Sequence, residues 1–298
     1  MNAYYKTNKG RLYYEDCINV LNYLIDKNIK VDLIYIDPPF GIDADKNFGM
    51  VSWKKNMQNK NKVDEILPMY VLDIGEQNYL RWLYLRLVLM KEVLSNRGTI
   101  YVHVDWHMGH YIKILLDEIF GKNNFQRGII WDIQVLSGFK TLAQNWVRGH
   151  DTILYYSKSN ERIFNKLKQP HTKEYLDSFN KVDKDGRYYM VAHGTIRYRD
   201  EVEPKGKPYG DVWNDIMSFQ QQPTSKEKVD YATQKPESLL DRIIKASSNK
   251  NSIVADFFCG SGTTGAVAEK LGRRWIMSDI NETACKITKE RLEKLTLK

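Results

Sequence analysis

The chain has 298 residues, with 45 Lys and Arg against 37 Asp and Glu for a formal net charge of +8, a balance that favours a polyanionic partner and says nothing about fold. A chain of this length can bury one large core with an insertion, so no second independent core is required. The three cysteines, Cys17, Cys259 and Cys285, show no C-x-x-C spacing, which points away from a structural zinc site or a disulfide framework and fits a reducing cytoplasm; no secretory leader is read, and the apolar stretches are strand-length or broken by charge, so no membrane span is expected.

In chain order, a short strand Arg11 to Tyr14 leads into a helix near Cys17 to Asp26, and the apolar run Val31 to Ile36 reads as a fully buried strand. That strand closes on Asp37-Pro38-Pro39-Phe40. The carboxyl edge of a parallel sheet is where open α/β folds hold their ligands, so Asp37 is placed like a reactive group. Two prolines stiffen the loop and leave its carbonyl oxygens for a ligand, and Phe40 adds a flat face. A carboxylate, a carbonyl and an aromatic plane together suit the grip of an exocyclic amino group on a planar base swung out of a duplex. A strand followed by a Pro-rich turn with no chemistry is the bland alternative for the tetrapeptide alone.

The segment from Gly41 to about Asp64 carries Lys46, Lys54, Lys55, Lys60 and Lys62 without clear periodicity, and its length and position suggest a mobile lid that contacts DNA. Tyr79 to Leu94 has helical apolar spacing, and a strand follows at Thr99 to Val104. His103, His107 and His110 around Asp105 lack a convincing fourth ligand, so they are expected to line the cleft and not to hold a metal. Strands near Gly128 to Ile133 and Thr152 to Tyr156 complete a sheet. Phe164 to about Tyr231 mixes charges of both signs with aromatics and lacks buried-strand runs; Arg197, Arg199, Gln220, Gln221 and Gln222 are its candidate base-edge readers.

Near the other end, a strand Ser252 to Phe258 runs into Gly260-Ser261-Gly262-Thr263-Thr264-Gly265, a helix Ala266 to Leu271, a strand from Arg274 ending in Asp279, and a helical tail Asn281 to Lys298. Glycines let the backbone approach a cofactor, the helix N-terminus offers N–H groups, and an acid at the tip of the next strand accepts ribose hydroxyls. The same spacing fits a nicotinamide-cofactor fingerprint, but the strands needed to finish that sheet do not follow Asp279. A kinase-type phosphate loop fails, because no Gly-Lys-Ser/Thr appears.

Taken together, the Asp37-Pro38-Pro39-Phe40 motif placed first and the glycine turn placed last resemble the β-class of amino-directed DNA methyltransferases. The resemblance runs through Leu12 to Asp16, Gly98 to Trp106, Gly149 to Leu154 and Thr233-Gln234-Lys235-Pro236, nearly the whole chain. Departures are Asp256-Phe257-Phe258 where Asp-Pro-Phe is common, Tyr231-Ala232 where His-Pro is usual, and Phe40 in place of the more frequent Tyr.

The resemblance implies a circularly permuted, Rossmann-like α/β methyltransferase fold. Its catalytic half would span residues 1–163, its target-recognition region 164–231 and its cofactor-binding half 232–298. It implies S-adenosylmethionine as cofactor, with Asp279 on the ribose hydroxyls, Asp16 and the adjoining Cys17 at the adenine edge, and the turn Asp256, Phe258, Gly260, Ser261 and Gly262 on the methionine portion. Thr233 and Lys235 would help hold the methionine carboxylate. Asp37, Pro38, Pro39 and Phe40 would carry the chemistry, and no metal is implied. The expected activity is methylation of the adenine N6 amino group in double-stranded DNA, in the cytoplasm and at the nucleoid when DNA-bound. A homodimer and a cognate restriction endonuclease are compatible partners. Alternatives are the cytosine N4 amino group, RNA adenine, or a silent nucleic-acid-binding module; attack at cytosine carbon 5 is disfavoured because none of the cysteines follows a proline.

Overall fold

A computed structural model describes residues 1–39, 77–133, 142 and 144–296. Phe40 and the basic segment 41–64 lie outside these described residues. The elements in order are β1 (Tyr5–Lys6), β2 (Gly10–Tyr14), α1 (Cys17–Asp26), β3 (Val31–Ile36), α2 (Gln77–Val93), β4 (Leu94–Val104), α3 (Gly109–Phe120), β5 (Phe125–Asp132) and β6 (His150–Ser157). There follow β7 (Lys168–Gln169), α4 (Lys173–Asp177), β8 (Lys181–Val182), β9 (Tyr188–Ala192), β10 (Thr195–Tyr198), α5 (Arg199–Val202), β11 (Lys207–Pro208) and β12 (Val212–Trp213). The chain closes with α6 (Glu237–Ser247), β13 (Ile253–Asp256), α7 (Thr263–Lys270), β14 (Arg274–Asp279) and α8 (Glu282–Thr296).

Among the described residues the main sheet has nine strands in the order β1-β2-β14-β13-β3-β4-β6-β5-β12. Strands β2, β14, β13, β3 and β4 run parallel, and β6 is antiparallel to both β4 and β5. Side chains alternate across a strand, and β3 shows the result: Ile34 and Ile36 enter one core with α1, α2 and α3, while Leu33 and Tyr35 enter the other with α6, α7 and α8. Covering both faces is why this strand is apolar throughout. Each fully buried Leu or Ile on α6, such as Leu239, Leu240, Ile243 and Ile244, contributes about 1.5–3 kcal/mol. The crossover through α2 lies on one face and that through α7 on the other, so β3 and β13 flank a topological switch point, where open sheets leave a crevice at the carboxyl ends of their strands. No helix among the described residues is long and apolar enough to cross a membrane.

Contacts divide the chain into two units, residues 1–164 with 211–298, and Asn165–Gly210. The second unit holds the antiparallel sheet β10-β9-β8 and the pair β11-β7. Arg187 ties it together: it donates to Asp200 and Glu201, each at 2.9 Å, and lies 3.8 Å over the Tyr198 ring. This unit lies within the segment 164–231, and Val212–Trp213 in the rest of that segment joins the main sheet parallel to β5.

A chain of buried polar groups crosses the main unit. His103, fully buried on β4, was expected in the cleft lining but lies within the sheet: its Nδ1 is 3.0 Å from the Tyr35 hydroxyl and its Nε2 3.1 Å from Asp151 Oδ2. A carboxylate can only accept, so Nε2 carries the proton and Tyr35 donates to Nδ1. Asp151 also accepts from Arg148. Of the neighbouring histidines, His110 stands exposed on α3 and His107 packs edge-on against Trp106 at 5.4 Å.

Burial, with Lys235 and Arg148 adding to it and Asp37 opposing, pushes the His103 imidazole down from 6.5 to about 3. The unfolded chain therefore binds a proton that the folded chain refuses between those values, and stability falls as pH drops through that window. Thermal unfolding across a pH series checks this: the melting temperature of His103→Gln should approach that of wild type on acidification, because the variant lacks this part of the slope. A second expectation concerns Gly10, where an added Cβ would sit 1.9 Å from Trp275 Cδ2. Trp275 is fully buried, and its indole N–H is held by Glu269 at 2.6 Å. Gly10→Ala should cost at least about 2 kcal/mol through overpacking, measured by urea unfolding.

Candidate active site

Two motifs distant in sequence meet at the switch point. Val254 and Ala255 of β13 pair with Leu33 and Ile34 of β3, which brings Asp256 and the glycine turn beside Asp37. Alternation along β3 puts Asp37 on the face of Leu33 and Tyr35, the face that α6 covers. Lys235, just ahead of α6, reaches the same point: its ammonium donates to Asp37 Oδ2. The other carboxylate oxygen, Oδ1, is buried and makes no hydrogen bond among the described residues. Pro38 is buried and Pro39 exposed. Asp37 is thus held on one side by a cation and left with a free acceptor on the other. Lys235, expected at the methionine carboxylate, contacts Asp37 and has Thr233 O at 3.5 Å.

The glycine turn is built by its neighbours. Asp256 is buried and accepts from Phe258 N at 3.1 Å and Thr264 Oγ1 at 2.5 Å; burial pushes its carboxyl up to about 7 against those two hydrogen bonds. Asp279 at the tip of β14 accepts from Gly260 N at 2.8 Å through Oδ2 and from Asn281 N at 2.9 Å through Oδ1. Burial raises its carboxyl even so. Gly260 and Gly262 adopt φ of +49° and +71°, the left-handed region that favours glycine. Space demands glycine as well: an added Cβ would lie 2.9 Å from the Tyr231 ring at Gly260 and 2.5 Å from Thr288 at Gly262. Tyr231, where the family commonly has His, packs on the turn, and burial raises its hydroxyl to about 12. The first N–H groups of α7 have no intrahelical acceptor, and Ser261 and Thr263 are buried beside them.

Several members of this site carry no local sequence signal. On α8, Thr288 donates to Gly260 O at 2.8 Å, and Arg291 donates to Thr263 Oγ1 at 2.9 Å and Glu237 Oε1 at 2.8 Å. Thr263 in turn donates to Lys235 O at 3.1 Å. The helix, the glycine turn and the Thr233 to Pro236 segment are therefore one hydrogen-bonded unit. Gln234, inside that segment, is buried and staples its loop through Val229 N and Glu227 O, at 2.7 and 2.8 Å.

At the expected adenine end, Asp16 caps α1 by accepting from Ile18 N at 2.9 Å, and Arg86 of α2 donates to both its oxygens at 3.2 and 2.9 Å. Arg86 is itself buried and stacks 4.1 Å over Trp82, whose ring meets Phe258 at 5.5 Å. Phe258 thus faces an aromatic and cationic wall supplied by α2, which sequence reasoning did not assign to the site. Cys17 belongs to the core: its sulfur is buried among α1 and α2 side chains, and burial raises its thiol to about 12.

The residues fit a nucleoside-bearing cofactor at the carboxyl end of β13, since the turn needs glycine at the two points where the backbone is crowded and an acid closes the following strand. Residues 31–290 match the N6/N4 DNA methylase family model. The chain is 29% identical to the Type II methyltransferase M.EcaI of Enterobacter cloacae over 91% of its own length, and 30% identical to the Type II methyltransferase M.BamHI of Bacillus amyloliquefaciens over 97%. It spans 66% and 58% of those relatives. Among solved structures it is similar to the M1.HpyAVI–SAM complex, with TM-score 0.58 and 21% identity over 95% of this chain and 98% of that one. It is also similar to the cytosine-N4-specific PvuII DNA methyltransferase, with TM-score 0.60 and 14% identity over 99% and 92%. The family match and the permuted order of the two motifs around one switch point lead to the same conclusion: the chain belongs to the N6/N4 DNA methylase family.

Proposed function

We propose that this chain transfers the methyl group of S-adenosylmethionine to the N6 amino group of adenine in duplex DNA. The observation that carries the reading is Asp37, whose Oδ1 is buried and unpartnered at the switch point while Oδ2 is held by Lys235. An aromatic amine is a poor nucleophile because its lone pair is spread into the ring. Asp37 Oδ1 and the Pro38 carbonyl would accept its two hydrogens and draw that lone pair out of conjugation. Lys235 keeps the opposite oxygen occupied, so the carboxylate presents a single acceptor. The cofactor, when bound, supplies a methyl group on a sulfonium sulfur. Asp37 then stands nearest to take the proton that the methylated nitrogen sheds, and no covalent link to the protein is needed, so position and electrostatics do the work.

Gly260, Ser261 and Gly262 would take the methionine portion, Asp279 the ribose hydroxyls, and Phe258 with the Asp16–Arg86 pair the adenine end. The inserted unit Asn165–Gly210 is proposed to read the DNA sequence. The proposal extends to a modification role alongside a restriction endonuclease, supported by the likeness to Type II methyltransferases. Methylation of cytosine N4 is the second reading, favoured by the likeness to the cytosine-N4-specific PvuII enzyme; Asp before Pro-Pro resembles the adenine-directed members, where cytosine-directed ones usually carry Ser.

Calorimetry should show S-adenosylmethionine binding without DNA, weakened about tenfold or more in Asp279→Ala, because a charge-assisted hydrogen bond is worth about 1.5–3 kcal/mol. Preference for a nicotinamide dinucleotide would overturn the cofactor. Asp37→Ala should bind cofactor normally yet lose roughly a hundredfold or more in turnover. Mass spectrometry of digested product DNA should find N6-methyladenine; N4-methylcytosine would reassign the target base.

A further inference from the structure

The buried chain Tyr35, His103 and Asp151 ends on a side chain that the proposed chemistry does not use. Arg148, immediately before β6, donates through Nη2 to Asp151 and through Nε to His150 O at 3.3 Å. Its Nη1 has no hydrogen-bond acceptor among the described residues, and the side chain is 35% exposed. β6 runs antiparallel to β4 with Thr152 opposite Val104, so its start lies at the carboxyl edge of the sheet, the edge that bears Asp37. The guanidinium stands in the field of Asp105 and Asp37.

We infer that Arg148 binds a backbone phosphate of the target strand next to the extruded nucleotide, and that Tyr35, His103 and Asp151 are positioning residues that aim it. The inference rests on the methyltransferase reading above. A nucleotide swung into the site brings its own phosphates to within one sugar of the reacting base. Asp37 and Asp105 at this edge repel those phosphates, and a cation there offsets them. A guanidinium fixed along one side by Nε and Nη2 offers its remaining N–H groups in a set direction, a task that suits Arg and not Lys. His103, neutral and donating through Nε2, holds the Asp151 carboxylate without cancelling its charge. Each link is therefore an oriented hydrogen bond, and the last one fixes a guanidinium that is itself 35% exposed.

The test uses the full chain and a fluorescent duplex carrying the site found by sequencing methylated bases. Arg148→Met should weaken duplex binding about tenfold and make the slope of log affinity against log salt shallower by about one, with S-adenosylmethionine affinity unchanged. A neutral methylphosphonate at a phosphate flanking the target base should weaken wild type similarly and cost Arg148→Met nothing further. Asp151→Asn should keep the salt slope yet shrink the methylphosphonate penalty, which loss of fold alone would not do. If Arg148→Met does not fold, Arg148→Lys serves, with the slope kept and the methylphosphonate penalty reduced. An unchanged slope in Arg148→Met, or equal methylphosphonate penalties in wild type and variant, overturns the inference. Failure of wild type itself to bind cofactor or methylate DNA would instead remove the reading on which it rests.

Discussion

The parallel pairing of β3 with β13 is the constraint on which the site depends. Parallel neighbours lie about 5 Å apart, so pairing Leu33 with Val254 and Ile34 with Ala255 leaves no freedom in how far Asp37 stands from the glycine turn. The crossovers leave this pair on opposite faces, and the crevice between them follows from topology alone. Everything else either stiffens that crevice or supplies its charge. Arg291, Glu237 and Thr263 clamp the glycine-turn side, and Arg86 with Asp16 clamps the start of α1.

Burial works in opposite directions on the carboxyls of this crevice and on the imidazole inside the sheet. It raises the Asp256 and Asp279 carboxyls and lowers the His103 imidazole, in each case against the charged form. The structure answers with donors for the acids and with a neutral tautomer for the histidine. Lys235 brings a full positive charge into the same space and spends it on Asp37. A half-buried pair of this kind contributes little stability in itself; it leaves Oδ1 as the unpartnered oxygen of Asp37.

Much of the sheet was legible because its strands are buried on both sides and read as continuous apolar runs: α1 and β3 fall where expected, at Cys17–Asp26 and Val31–Ile36. Helix α3 was not read, although Ile112, Leu115, Leu116, Ile119 and Phe120 repeat with helical spacing; it begins at Gly109 without a side-chain cap, and the histidines suggested a different role. Arg86 was legible only as an anomaly, a charge on an apolar helix face. Thr288 and Arg291 could not be found, since on α8 they look like ordinary polar residues and gain meaning only from packing beneath a turn formed elsewhere in the chain. The short strands of Asn165–Gly210 give no buried runs because they are largely exposed. Lys235 shows a different limit: its place in a motif was readable, but its partner was not.

The position of β13 also has a consequence for synthesis. In the sheet it lies between β3 and β14, yet it leaves the ribosome only after every strand from β3 to β12 has emerged. Until then the edge of β3 that β13 will cover offers unpaired backbone groups, in a strand apolar on both faces, and such edges invite pairing with other chains. A nascent polypeptide holding Asp37 but not yet the glycine turn therefore has half of its crevice and an uncovered, apolar strand edge. The permuted order defers assembly of the crevice until β13 has been made, so a product terminated before that strand has a reason to aggregate.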